Sequence, residues 1–277
     1  MRVAEALVLA RELGVARLDA QLLLGHHLQR PRSWLIAHDD ATLDADAVAA
    51  VEADLRRRAA GVPLAYLVGE REFHGLALRV TPAVLVPRPE TELLVDWALQ
   101  RLDALAPGLA ATVVDLGTGS GAVALAVKQA RPAARVTATD AQPAALELAR
   151  DNAHRLGLAL EFVAGDWWQP LTGRRFDLAV SNPPYVAGDD PHLQALAHEP
   201  RSALTPEGDG LAALRRLIAS APQHLNPGAW LLLEHGHDQA DAVRRLFIER
   251  GFQPALTRRD LAGIERCTGA RWPGEPL

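Results

Sequence analysis

The chain has 277 residues, 49% apolar and 23% charged, with 29 Lys plus Arg against 34 Asp plus Glu and a formal net charge of −5. That length suits one large domain or two small ones with a real hydrophobic core, and the acidic balance argues against a protein whose main partner is bare DNA or RNA. The single cysteine, Cys267, excludes an internal disulfide or a cysteine zinc cage and suits a reducing, cytoplasmic setting; no apolar run reaches the ~18 residues of a membrane span, and Met1-Arg2-Val3-Ala4-Glu5 does not read as a signal peptide.

Residues 1 to about 60 read as helices. Val3, Ala6, Leu7 and Ala10 recur at helical spacing. Val48, Val51 and Leu55 repeat the pattern up to Arg56-Arg57-Arg58 and Gly61, which together form a helix C-terminal signal. Acids and arginines nearly balance here, favouring packing or protein docking over nucleic-acid binding. Phe73, Leu76, Leu78 and Val80, followed by Val84-Leu85-Val86 after Thr81-Pro82, read as a β-hairpin bridging two domains. Pro87-Arg88-Pro89 ends it, and 90–105 reads as the next helix. From about 110 the order becomes strand, helix, strand, helix. Strands are expected over 112–116, 135–139, 160–163, 176–180 and 230–234. Helices are expected over 121–130, 142–156 and up to Gly251, with an antiparallel pair within 252–272. This alternation predicts an α/β, doubly wound, mostly parallel sheet of Rossmann-like type. A small helical-bundle domain would occupy 1–75, and the linking hairpin and main domain 76–277.

Asp115-Leu116-Gly117-Thr118-Gly119-Ser120-Gly121 follows an apolar strand and opens a helix. Glycines let the backbone bend tightly and approach a ligand, and a helix start offers free N–H groups. Asp140 closes the next strand, where a carboxylate can accept hydrogen bonds from ribose hydroxyls. Together these point to a nucleoside cofactor. The third glycine comes earlier than in a dinucleotide turn, and Asp115 repels a pyrophosphate but suits a cationic ligand. S-adenosylmethionine carries a sulfonium and an ammonium, and the turn resembles the first motif of class I methyltransferases. Gly165-Asp166-Trp167-Trp168 follows the third strand. Asp166 can accept from an adenine amino group and an indole can stack on the ring. Of two adjacent indoles only one easily faces a ligand, and Trp167 is the expected one.

The strand over 176–181 ends in Asn182-Pro183-Pro184-Tyr185, at the edge where open α/β sheets bind ligands. The prolines remove backbone donors and fix φ. The Asn182 side-chain oxygen and the Pro183 carbonyl can accept the two protons of an amide or amino NH2, aiming its lone pair at a methyl group, while Tyr185 stacks over the planar substrate. Methyl transfer would then rest on positioning and electrostatics, without a strong general base.

At these residues the chain resembles the Asn-Pro-Pro-Tyr class of amino methyltransferases, which act on adenine N6, guanine N2 or protein glutamine. The stretches Pro63 to Gly69, Phe73-His74-Gly75 and Val84 to Glu92 resemble the release-factor glutamine methyltransferases, the HemK/PrmC family. So do Glu199-Pro200, Gly208 to Gly210, Leu233-Glu234-His235-Gly236 and Asp260 to Gly263 with Arg266. The resemblance implies methylation of the glutamine N5 in the Gly-Gly-Gln loop of class I peptide chain release factors. It implies donor binding by the glycine-rich turn, Asp140, Trp167 and Asn182, and holding of the glutamine by Asn182, Pro183, Pro184 and Tyr185. The helical domain would help to dock the factor. Arg88-Pro89-Glu90-Thr91 would either contact the incoming loop or donor, or cap the domain junction with an Arg–Glu pair. The expected protein is a cytoplasmic monomer that binds neither nucleic acid stably nor membranes.

A nucleic-acid amino methyltransferase would use the same motif on a flipped base, but would want a basic face. A dinucleotide oxidoreductase would need a later third glycine, and a non-catalytic binding module would keep only the cofactor fold. His74, His198 and His235 lack metal-site spacing. Arg215-Arg216, Arg244-Arg245 and Arg258-Arg259 read as solvated faces, Glu234 as structural and Cys267 as a small buried residue.

Overall fold

The computed structural model describes residues 1–105 and 110–274. The chain divides into two compact units, Met1–Glu70 and Arg71–Leu277. The first holds five helices: α1 (Val3–Glu12), α2 (Arg17–Leu28), α3 (Arg32–Ala37), α4 (Ala45–Ala59) and α5 (Leu64–Val68). Their apolar faces meet in one core built on Val3, Leu23, Leu24, Leu35, Val51 and Leu55. Asp44 caps α4 by accepting from the Ala47 N–H at 2.8 Å, and Arg56, Arg57 and Arg58 lie in its last turn, where the helix dipole favours cations. No described helix of the chain is long and apolar enough to cross a membrane.

The second unit opens with β1 (Glu70–Phe73) and β2 (Leu76–Arg79), a two-stranded hairpin. Its turn is His74-Gly75, both at positive φ (49° and 78°), a backbone that matches the twist of a tight hairpin. The turn thus falls inside the strand expected from Phe73 to Val80, and Val84-Leu85-Val86, expected to follow it in the hairpin, is not paired. The Val86 N–H donates instead to the Glu199 carboxylate at 3.0 Å, so the segment is held by a side chain rather than a strand. Then follow α6 (Glu92–Asp103), β3 (Thr112–Leu116), α7 (Ala122–Ala130), β4 (Arg135–Asp140), α8 (Pro143–Leu156), β5 (Glu161–Ala164) and β6 (Phe176–Ser181). After these come α9 (Arg201–Leu204), α10 (Ala212–Ser220), β7 (Leu225–Glu234), α11 (Ala240–Glu249), β8 (Ala255–Arg259) and β9 (Glu265–Arg271).

The main sheet runs β5-β4-β3-β6-β7-β9-β8, parallel from β5 to β7 and antiparallel beyond. Strand alternation feeds two cores. Val113, Leu178, Val180 and Leu232 face one with Leu94, Trp97 and Val123. Val114, Ala179, Leu231 and Leu233 face the other with Leu214, Val243 and Phe247. A sheet covered on both faces buries both sides of its central strands, which are rich in apolar residues, as the alternating pattern predicts. β7 starts five residues before the expected 230: the register shift between Phe176 and Leu178 accommodates Pro227-Gly228, and the Gly228 N–H donates to the Trp272 carbonyl at 2.7 Å. Chain order reverses between β3 and β6, so the crevice beyond their C-terminal ends is where this architecture places ligands.

Candidate active site

The turn after β3 is built by glycine conformations. Gly117, Gly119 and Gly121 have φ of 73°, 57° and 87°, values that L-residues rarely adopt. The N–H groups of Gly117 and Thr118 both donate to the Thr139 carbonyl, at 2.9 and 2.8 Å, which ties the turn to the end of β4. A Cβ on Gly117 would lie 2.8 Å from the Trp167 ring, and one on Gly119 would meet nothing within 4 Å. Gly121 differs: its Cβ would strike Leu125 at 2.8 Å and Ala149 at 3.3 Å, so this glycine lets α7 approach α8.

Two carboxylates anchor the turn. Asp115 Oδ2 accepts from the Thr118 hydroxyl at 2.6 Å and the Ala124 N–H at 3.2 Å. Burial pushes its carboxyl up to about 6, against the pull of those two bonds, and nearby Asp140 adds repulsion. Asp140 accepts from the Gly119 N–H at 2.9 Å and the Gln142 N–H at 2.8 Å, and burial raises its pKa as well. No ion pair to either carboxylate occurs among the described residues.

One pocket collects Arg88, Thr91, Asp115, Gly117, Thr118, Gly119, Ser120, Asp140, Asp166, Trp167, Asn182 and Pro184. The two indoles separate: Trp167, at φ 52°, lines the pocket, whereas Trp168 is buried, donates from its indole nitrogen to the Leu217 carbonyl at 2.9 Å and stacks on His224. The Asp166 carboxylate is engaged by Arg216 at 2.6 Å. Gly121, Pro183, Tyr185 and Glu90 lie outside the lining, with Glu90 exposed and Pro183 buried.

Asn182 leaves β6 beside the turn after β3, and the Ser181 hydroxyl donates to the Leu116 carbonyl at 2.6 Å, joining the two strand ends. The Asn182 Nδ2 donates to Thr91 Oγ1 at 3.1 Å, which leaves the amide oxygen as the acceptor. The Tyr185 hydroxyl donates to Glu234 Oε1 at 3.1 Å, while the Tyr185 carbonyl accepts from Gln239 at 2.9 Å. Gly210 lies so close to this backbone that a Cβ would sit 2.3 Å from the Tyr185 carbonyl oxygen. Burial and the neighbouring Glu234 charge hold the Tyr185 phenol well above its ordinary value, so it stays a neutral donor.

Arg88 pairs with Glu199, 111 residues away, and not with Glu90. Sequence reasoning gave no specific role to two supporting residues, Asn152 and Glu199; it marked Glu234 only as structural and Thr91 only as part of the segment that meets the loop or donor or caps the junction. Asn152 is fully buried. It accepts from the Arg79 N–H at 2.8 Å and donates to the Arg79 and Ser120 carbonyls at 3.0 and 2.9 Å, joining β2 to the glycine turn. The only signal for Glu199 and Glu234 in the sequence was their place in stretches resembling a family.

Residues 91–212 match the Methyltransferase small domain family, and residues 2–69 match the PrmC N-terminal domain. The release factor glutamine methyltransferase of Bordetella pertussis is 51% identical over 259 residues, which is 92% of this chain and 95% of its own. That of Xylella fastidiosa, strain Temecula1, is 50% identical over 272 residues, 97% of this chain and 98% of its own. Among solved structures, the T. thermophilus 16S rRNA N2 G1207 methyltransferase in complex with AdoMet and guanosine shares the fold at 20% identity, with a TM-score of 0.55 over 73% of this chain and 49% of that one.

Proposed function

Since the chain belongs to the release factor glutamine methyltransferase family, we propose that it transfers a methyl group from S-adenosylmethionine to the side-chain N5 of the glutamine in the Gly-Gly-Gln loop of class I peptide chain release factors. S-adenosylhomocysteine is the other product, and the methylated nitrogen releases one proton to solvent. The observation that carries this reading is the Asn182 amide, whose nitrogen is committed to Thr91 and whose oxygen is left to accept, at the strand end beside the glycine turn.

The pocket suits such a donor. Gly117 leaves no room for a Cβ beside Trp167, Gly119 opens onto free space, and buried Asp115 and half-buried Asp140, both with raised pKa values, form no ion pair among the described residues. When bound, the donor supplies an electrophilic methyl on a sulfonium. Asp140 has lone pairs for ribose hydroxyls, Trp167 an apolar face for the adenine, and Asp115 a negative potential that favours the cationic end. Gly117, Thr118, Gly119 and Ser120 line the approach, and Asp166 reaches the adenine edge only if it shares its Arg216 bond. The Asn182 oxygen and the Pro183 carbonyl take the two amide protons and hold the nitrogen with its lone pair toward the methyl. Pro184 and Tyr185 confine the amide plane. Glu90, exposed and unpaired with Arg88, is assigned to loop contact, and Arg88 to shaping the pocket wall through Glu199. The helical unit docks the factor, the chain acts as a cytoplasmic monomer, and nucleic acid is not held stably.

Labelled donor incubated separately with release factor, duplex DNA and ribosomal RNA tests the reading. Label should appear on the factor, and label on a nucleic acid alone refutes it. Asn182→Ala should abolish transfer while donor binding is only weakened, and normal turnover by that variant would sink the mechanism.

A further inference from the structure

Glu234 ends β7 with 1% of its surface exposed, beneath the Asn-Pro-Pro-Tyr turn. Its Oε1 accepts the Tyr185 hydroxyl, and its Oε2 has no hydrogen-bond partner among the described residues. Leaving a buried carboxylate oxygen unmatched is costly. Thr91, which also faces Glu234 and favours its ionised form, receives the Asn182 Nδ2–H at 3.1 Å. Glu234 therefore stands behind both ends of the motif: directly at Tyr185 and through Thr91 at Asn182.

We propose that Glu234 is a positioning residue for methyl transfer, which in its ionised form sets the direction of the hydrogen bonds made by the Tyr185 hydroxyl, Thr91 and the Asn182 amide. The inference rests on the function proposed above. A carboxylate only accepts, so the Tyr185 proton turns toward it, and the Thr91 proton, whose interaction favours the ionised form, is drawn toward the unmatched oxygen. The Thr91 lone pairs then face Asn182, whose NH2 must point inward and whose oxygen is left for the substrate amide. A protonated Glu234 can donate instead, which frees Thr91 to donate in turn and lets the Asn182 amide flip. The flipped amide presents NH2 to an NH2 and cannot hold the substrate.

Other charges face this carboxyl from each neighbouring element. Arg266 on β9 favours the ionised form, Glu90 opposes it, and burial outweighs the rest, pushing Glu234 up to about 7. Arg88 and Arg266 act on Tyr185 in the same sense, and Cys267, paired with Glu234 across β7 and β9, stays a buried thiol. The switch from competent to flipped is therefore expected near neutral pH.

The test compares wild type, Glu234→Gln, Thr91→Val and Thr91→Ser on release factor across pH 6–9, with donor affinity measured by calorimetry. Wild-type turnover should fall by about tenfold per pH unit below neutrality. Glu234→Gln should be about 10–100-fold slower at pH 8 with that acid limb gone, because a misplaced acceptor forfeits alignment. Donor affinity should change by less than about threefold. Thr91→Val should lose turnover similarly and Thr91→Ser restore it, which keeps the question open to measurement even if Glu234→Gln does not fold. A Gln variant with the wild-type rate and acid limb, or a Val variant at the wild-type rate, overturns the proposal. A wild-type protein that binds donor but never labels the factor instead overturns the function on which it rests.

Discussion

Asp115→Asn should stabilise the protein while weakening its hold on the donor. Asp115 is 2% exposed, and its carboxyl titrates near 6 in the fold against 3.8 in an unfolded chain. The folded state thus binds the proton more tightly than the unfolded state. The stability this provides is complete below pH 3.8 and is lost as pH rises through about 6. At ~1.36 kcal/mol per unit, the ionised carboxylate costs about 3 kcal/mol at pH 8 and about half that at pH 5. Asparagine removes that cost. It also accepts less strongly from Thr118 and Ala124, giving back about 1 kcal/mol. The net gain is about 2 kcal/mol at pH 8, or ~4–8 °C in Tm for a unit of this size, and near zero at pH 5. Thermal melts of both proteins at the two pH values read the difference directly. Calorimetry with the donor should show weaker binding, since the negative potential beside the glycine turn is gone. An increment in Tm that is equal at both pH values, or a variant less stable than wild type at pH 8, would refute the assignment of a buried, ionised carboxylate.

Trp167→Ala and Trp168→Ala should part company: the first weakens donor binding and leaves the melting temperature nearly unchanged, and the second loses about 3–5 kcal/mol in denaturant titration, because Trp168 fills the core against His224 and its indole N–H satisfies Leu217. Asn152→Leu should cost about 3–5 kcal/mol in the same titration, since it strands the N–H and carbonyl of Arg79 and the carbonyl of Ser120; a loss under ~1 kcal/mol would mean that water replaces the amide.

What the sequence discloses and what it hides follow from how far apart the interacting residues lie. Strand β3 and helices α7 and α8 emerge within a residue of their expected limits, because an apolar run, a glycine turn and the Gly157 stop are local signals. Local signals mislead where a distant partner overrides them. Pro227-Gly228 interrupts the ladder, yet β7 pairs with β6 at Leu225 before it and again from Trp230, with the Gly228 N–H held by the Trp272 carbonyl. Val84-Leu85-Val86 has the composition of a strand, but Glu199, more than a hundred residues on, takes the Val86 N–H. The same division runs through the pocket. Asn182 to Tyr185 and Asp115 to Gly121 are contiguous because each is a single turn at a strand end, so their chemistry is visible as a motif. The groups that give those turns a direction come from separate elements: Thr91 before α6, Asn152 on α8, Glu234 at the end of β7. A parallel sheet with a switch point gathers the ends of strands distant in sequence into one crevice. A chain can thus display its reacting groups in a row and still scatter, over roughly 150 residues, the side chains that decide whether an amide presents its oxygen or its nitrogen to the substrate.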